Sequence, residues 1–307
     1  MERWIALALM AVAAPAAAQE AVAPAPAAEP PGEDLSFLTA DTRMTVPVQI
    51  AGAGPYDFVI DTGAQRSVIS RQLARHLGLP AGRRVRLTAM AGTSEVDTVI
   101  VPSLSVSTLG GQQIEAPALE ANNLGAPGML GIDTLQGHAL AIDFDTERMT
   151  VVPTERRRTR PAGPDEIVIQ ARDMFGQLVV TNATVAGRRV RVVLDTGTAV
   201  SLGNPALLRL LGKQRKGEPA IFTSVLGQQL IGDYAVLREM TLGSATIRSL
   251  TVAFADAAPF RAFGLRDKPA ILLGMDALRL FRRVRIDFAN RELRLVMPRD
   301  AIRASPS

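Results

Sequence analysis

The sequence writes Asp-Thr-Gly twice, at Asp61-Thr62-Gly63 and at Asp195-Thr196-Gly197. Phe58-Val59-Ile60 runs into the first copy and Val192-Val193-Leu194 into the second. An apolar run ending in a Gly-containing turn predicts a buried strand that delivers a carboxylate at its tip. One copy of three common residues would carry little weight. Two copies in matching surroundings predict a duplicated unit whose acids meet. Two carboxylates held side by side cannot both ionise cheaply, so such a pair shares a proton.

The surroundings repeat in order. In the first half, strands are expected at 44–50 and 56–60 around a turn at 51–55, and Ser70 caps a helix over 71–77 that Gly78 stops. A hairpin follows, with strands at 85–90 and 96–101 around Ala91-Gly92-Thr93. Strands are expected at 104–106 and 113–119, then Met129-Leu130-Gly131, a brief helix capped by Asp133, and a closing strand pair at 139–144 and 149–152. The second half repeats this: Asn204-Pro205 opens a helix that Gly212 ends, and Thr223 to Gly227 matches the hairpin turn of Thr88 to Gly92. Leu272-Leu273-Gly274 with Asp276 matches Met129-Leu130-Gly131 with Asp133, and Ile286-Asp287-Phe288 matches Ile142-Asp143-Phe144. Extra residues near 259–268 are expected to form a loop. A period this long in only two copies means a duplicated domain. Many short strands and few helices make each half mainly β.

Residues 1–18 have the form of an export signal: Arg3, an apolar stretch, and a small-residue cleavage site at Ala16-Ala17-Ala18. The stretch is short for a membrane span, and no other segment has the length and apolarity of one. Residues 19–36 form a Pro/Ala-rich tether. The expected organisation continues with one lobe over 37–154, a linker over 155–164 whose Arg-rich start reads as a solvated charge run, and a second lobe over 165–300. The chain has no cysteine, which excludes disulfides, a thiol nucleophile and thiolate metal ligation. Export without disulfides fits a bacterial periplasm. At 47% hydrophobic and 21% charged residues the chain builds a full core. A formal charge of +4 with 4% aromatics lacks the clustered basic face of a nucleic-acid binder.

The combination of apolar-apolar-Asp-Thr-Gly, a Gly-tipped hairpin about thirty residues on and apolar-apolar-Gly resembles one lobe of an aspartic protease. Two such lobes resemble the pepsin-like arrangement, and Ala64 after the first motif resembles retropepsins. The closest likeness is to a fused, two-lobed, exported bacterial retropepsin-like protein, and it extends over residues 42–298. It implies two homologous β-barrel lobes about a pseudo-two-fold axis and a catalytic pair formed by Asp61 and Asp195. Thr62 and Thr196 would brace the loops across the axis, and Gly63 and Gly197 would let them pack closely. Ala91, Gly92, Leu226 and Gly227 would form the flap positions over an extended peptide. The implied chemistry is an aspartic endopeptidase needing no metal and no cofactor, acting as a monomer whose lobes pair within the chain. The family's flap tyrosine is missing: Tyr56 and Tyr234 are the only tyrosines, and neither is at a hairpin tip.

Other chemistries fit less well. His76 and His138 are the only histidines, far apart and without metal-ligand spacing. Ser67 and Ser201 lack a Gly-x-Ser-x-Gly elbow and are expected to shape the turns. Asp143 and Asp287 are expected to end strands. A catalytically silent peptide-binding module of the same fold is the competing reading, and lobes pairing between chains would give a swapped dimer with the same chemistry.

Overall fold

The computed structural model describes residues 44–106, 109–154, 161–174, 176–212 and 219–298. The expected export signal, the tether and the charged stretch at 155–160 lie outside them. No helix among the described residues is long and apolar enough to cross a membrane.

The first half comprises β1 (Thr45–Ile50), β2 (Ala53–Ile60), β3 (Val68–Ser70), α1 (Arg71–His76), β4 (Ala81–Ala89), β5 (Gly92–Val106), β6 (Leu109–Leu119), α2 (Ala121–Leu124), β7 (Gly128–Leu130), α3 (Ile132–Leu135), β8 (His138–Asp143) and β9 (Arg148–Pro153). The second half begins with β10 (Glu166–Gln170), β11 (Arg172–Met174), β12 (Gln177–Val185), β13 (Arg188–Leu194), β14 (Leu202–Gly203), α4 (Pro205–Leu210) and β15 (Pro219–Thr223). It ends with β16 (Gln229–Leu242), β17 (Ala245–Phe254), α5 (Ala258–Ala262), β18 (Ala270–Leu273), α6 (Met275–Leu278), β19 (Arg283–Asp287) and β20 (Glu292–Val296).

The chain is mainly β, in two barrel lobes. The first sheet runs β1-β2-β7-β3-β6-β5-β4, and β1 pairing with β5 closes six of its strands into a ring. The second runs β11-β12-β13-β18-β14-β17-β16-β15, closed by β12 against β16. β1 shows why a half-buried strand forms here: Val46, Val48 and Ile50 face the core while Thr45, Pro47 and Gln49 face out. The Ala51-Gly52 turn between β1 and β2 has positive φ at both residues, and Ala186-Gly187 repeats it between β12 and β13. Two left-handed residues make the tight turn whose twist matches the flanking strands. Gly54 and Pro55, expected in the turn, therefore belong to β2.

Helix starts follow the residues expected. Ser70 accepts from the Leu73 N–H and Asn204 from the Leu207 N–H, and Gly78 and Gly212 take left-handed φ after the last turns. Asp133 and Asp276 do not cap. Gly131 and Gly274 hold those N-cap positions, and the two carboxylates bond elsewhere, as described below. Residues 259–268, expected as a loop, contain most of α5. The strand expected at 104–106 is the end of β5, continuous past irregular register between Val101 and Leu104.

A third sheet, β10-β20-β19-β8-β9, joins the halves. β8 and β19 lie antiparallel, with Asp143 opposite Arg283 and Leu140 opposite Ile286. Leu140, Ile142, Val284, Ile286, Leu293 and Leu295 of this sheet are all buried. Burying such side chains contributes on the order of 1.5–3 kcal/mol each, so parting the halves at this sheet is expensive. Arg283 with Asp143 and Arg282 with Asp145 add exposed ion pairs across the seam, which contribute little by comparison.

Candidate active site

Each Asp-Thr-Gly loop leaves a central strand backed by a parallel neighbour. β2 pairs with β7, placing Ile60 beside Leu130, and β13 pairs with β18, placing Leu194 beside Leu273. The backbone N–H of Asp61 donates to Leu130 O at 2.9 Å and that of Asp195 to Leu273 O at 3.0 Å. Thus the apolar-apolar-Gly segments lie against the strands that carry the acids.

The carboxyl groups are then oriented by their own loops. Asp61 Oδ1 accepts from the N–H groups of Gly63 (2.7 Å) and Ala64 (3.0 Å). Asp195 Oδ1 accepts from the Gly197 N–H at 3.1 Å. Across the axis the two loops exchange four bonds through their threonines. Thr62 N donates to Thr196 Oγ1 and Thr196 N to Thr62 Oγ1, while Thr62 Oγ1 donates to Leu194 O and Thr196 Oγ1 to Ile60 O. Both threonines are buried, so these four bonds are also what satisfies their polar atoms.

This exchange brings the acids together. The Asp195 carboxyl is hydrogen-bonded to that of Asp61, and its pKa is raised well above the usual carboxylate range. Burial is the main cause, the Asp61 charge the next, and the N–H groups of Gly197 and Thr198 oppose them. The glycines permit the approach. A Cβ added at Gly63 would fall 2.7 Å from Asp195 Cγ, and one at Gly197 would fall closer still to Asp61 Cγ.

Behind each loop a serine and an aspartate form a matched support. Ser67 Oγ donates to Asp133 Oδ1 and accepts from the Gly131 N–H, and Ser201 Oγ does the same between Asp276 and Gly274. Asp276 is raised by burial, against the Ser201 bonds that favour its charge. The histidines lie away from this point: His76 ends α1, and His138 opens β8 with Nδ1 on Gln136 O.

A cleft of about 300 Å³ opens over the acids. The hairpin β4–β5 roofs it from one side, turning through Met90 and Ala91, and the hairpin β15–β16 from the other, turning through residues 224–228. Each tip crosses to the opposite lobe. Met90 packs on the cluster of Phe222, Phe260 and Phe263, and its carbonyl accepts from the Ala258 N–H at 2.9 Å. Leu226 packs on the cluster of Val68, Leu124 and Met129. The hairpins also meet each other, with Gln228 Nε2 donating to Ser94 Oγ beside Gly92. Gly227, with positive φ, faces Asn123. Thr88, Ala89 and Met90 line the cleft from one hairpin and Thr223, Ser224 and Val225 from the other; Ala91, Gly92, Leu226 and Gly227 lie outside that lining.

Gln177 lines the cleft and had no signal in the sequence. It is buried at the start of β12, its Nε2 donates to Gly63 O, and its Oε1 has no hydrogen-bond partner among the described residues. A lone glutamine opening a strand matches no motif, and only the folded position gives it meaning.

A family model described as aspartyl protease matches residues 46–134 and again residues 181–277. No curated protein matches the chain.

Proposed function

The chain belongs to the aspartyl protease family, and we propose that it is an aspartic endopeptidase whose Asp61 and Asp195 share one proton and activate one water. The observation that carries this reading is the hydrogen-bonded carboxyl pair at the base of the cleft, with Asp195 raised by burial and by its neighbour. Asp195 then holds the proton, and Asp61, supported by the Gly63 and Ala64 N–H groups, is the ionised member. The pair titrates as a unit. Asp61 takes a proton from a water lying between the carboxyls, and the water oxygen bonds to the carbonyl carbon of the scissile peptide. Asp195 gives its proton to the carbonyl oxygen, forming a tetrahedral diol. Transfer of a proton from Asp61 to the leaving nitrogen, and return of one from the diol to Asp195, breaks the C–N bond and restores the pair.

Thr62 and Thr196 hold the loops in this geometry, and Gly63 and Gly197 leave the room it needs. The hairpins carrying Ala91, Gly92, Leu226 and Gly227 act as paired flaps that offer strand edges to an extended peptide. Their tips rest on the opposite lobe, so both must lift for substrate to enter. The five-stranded sheet supports a monomer with its lobes paired within the chain. Read with an export signal at 1–18, the substrates are peptides or proteins met outside the cytoplasm, in a bacterial periplasm.

The test is cleavage of a diverse peptide library between about pH 3 and 7 by the full chain, Asp61→Asn and Asp195→Asn, each checked for folding by circular dichroism. Cleavage by the wild type and loss in both folded variants is the expected result. Loss in one variant alone would mean that the lobes do not share a site. A folded wild type that cuts nothing would favour the silent peptide-binding module.

A further inference from the structure

The two walls of the cleft differ in charge. Besides the paired acids, the ionisable side chains that line it are Arg66 and Arg86, both from the first lobe. Neither makes an ion pair with a described residue. Arg86 stands opposite Glu95 in the β4–β5 ladder without bridging to it, whereas its neighbours Arg83 and Arg84 are paired with Glu115 and Asp97. Arg66 is held at its backbone: a Cβ on Gly131 would fall 2.5 Å from its carbonyl carbon.

The second lobe has no cation at the matching positions. Five residues after Asp61 comes Arg66, and five after Asp195 comes Val200, which packs on the apolar cluster of that lobe. Two residues before Thr88 comes Arg86, and two before Thr223 comes Ile221. Among the described residues that wall is uncharged apart from Asp195, with Val225, Pro259, Phe263 and Leu272 as an apolar patch beside Gln177 and Thr198. Arginines that line a ligand cleft with no counter-ion among the described residues, facing an uncharged wall with an apolar patch, form a receptor for a carboxylate beside an apolar group.

We propose that the cleft selects peptides with an Asp or Glu side chain turned toward the first lobe, received by Arg66 and Arg86, and an apolar side chain turned toward α5. This rests on the endopeptidase reading and names its substrate class.

The test uses pairs of short peptides that differ only by Glu or Gln at one position, scanned along the chain. Two readouts are taken: cleavage by the full-length wild type, and fluorescence anisotropy on Asp61→Asn. At one position the Glu peptide should be favoured about tenfold in both readouts. The preference should weaken as salt rises from about 20 to 500 mM. It should vanish in Arg66→Met/Arg86→Met and reverse toward the Gln peptide in Arg66→Glu/Arg86→Glu. If the paired substitutions do not fold, the single changes Arg66→Gln and Arg86→Gln carry the same comparison. Indifference to Glu or Gln at every position, or a preference that survives loss of both arginines, overturns the proposal while cleavage itself keeps the endopeptidase reading. Arginine-dependent binding of the Glu peptide with no cleavage does the reverse. Absence of both binding and cleavage overturns both.

Discussion

The two lobes agree at the axis and disagree at the cleft. Thr62 and Thr196 are 134 residues apart and bonded reciprocally, and Ser67 and Ser201 repeat one support with Asp133 and Asp276. Toward the substrate side the copies part. One hairpin turns through two residues and the other through five. Arginines that form no ion pair with a described residue stand on one wall and an uncharged wall with an apolar patch on the other, and α2 is answered by a longer segment carrying α5. Thr62 and Thr196 cannot change alone, because each is the other's hydrogen-bond partner. Residues that meet a ligand are under no such reciprocity, so duplication leaves them free to specialise.

The glycines test the agreement most severely. Gly63→Ala and Gly197→Ala each push a methyl group into the opposite carboxyl. Cleavage should fall roughly a hundredfold or more in both, with about 1–3 kcal/mol of stability lost, read by peptide hydrolysis and urea unfolding. Unequal losses would break the symmetry. The disagreement is tested next by Phe260→Ala in α5, which empties the seat of Met90. It should cost about 3–5 kcal/mol and raise the KM for peptides, whereas Leu124→Ala in α2 should cost about 2–5 kcal/mol and loosen the Leu226 hairpin together with the seat of Val85 and Leu87 in β4. Thr62→Val and Thr196→Val should each lose about 2–4 kcal/mol, because each orphans a carbonyl and an N–H. The double variant should lose less than the sum, since both changes remove one network.

The smallest expected effect concerns pH. The Asp195 carboxyl is raised in the folded chain, so folding favours its protonated form. That contribution is full below the ordinary carboxylate range and is lost as pH rises through the raised value. Asn imitates the protonated acid at every pH. Asp195→Asn should therefore melt above wild type at neutral pH, and the gap should close toward about pH 3. A gap that stays constant would mean that ionisation of Asp195 does not burden the fold.

Much of the fold was legible because the chain states it twice. Mainly β lobes, the strands leading into Asp61 and Asp195 and the starts of α1 and α4 follow from apolar runs, Ser70, Asn204 and well-placed glycines. Local rules misled where a tertiary partner outbid them. Asp133 and Asp276 have the composition of caps, yet their carboxylates are engaged by Ser67 and Ser201. Gly54-Pro55 has the composition of a turn, yet the turn is completed at Ala51-Gly52. At the site, the duplicated motif named the loops that the structure brings together. The seats of Met90 and Leu226, the orientation of Gln177 and the pairing of β8 with β19 depend on residues remote in sequence, and no local period encodes them.

That last pairing bears on how the chain is made. Asp143 waits for Arg283, 140 residues later, before the edge of β8 is covered. A ribosome releases the first lobe with a bare strand edge and an apolar face that only the last segment can close. While synthesis continues, two nascent copies present the same open edge to each other, and holding the chain unfolded until its end is available would avoid that encounter.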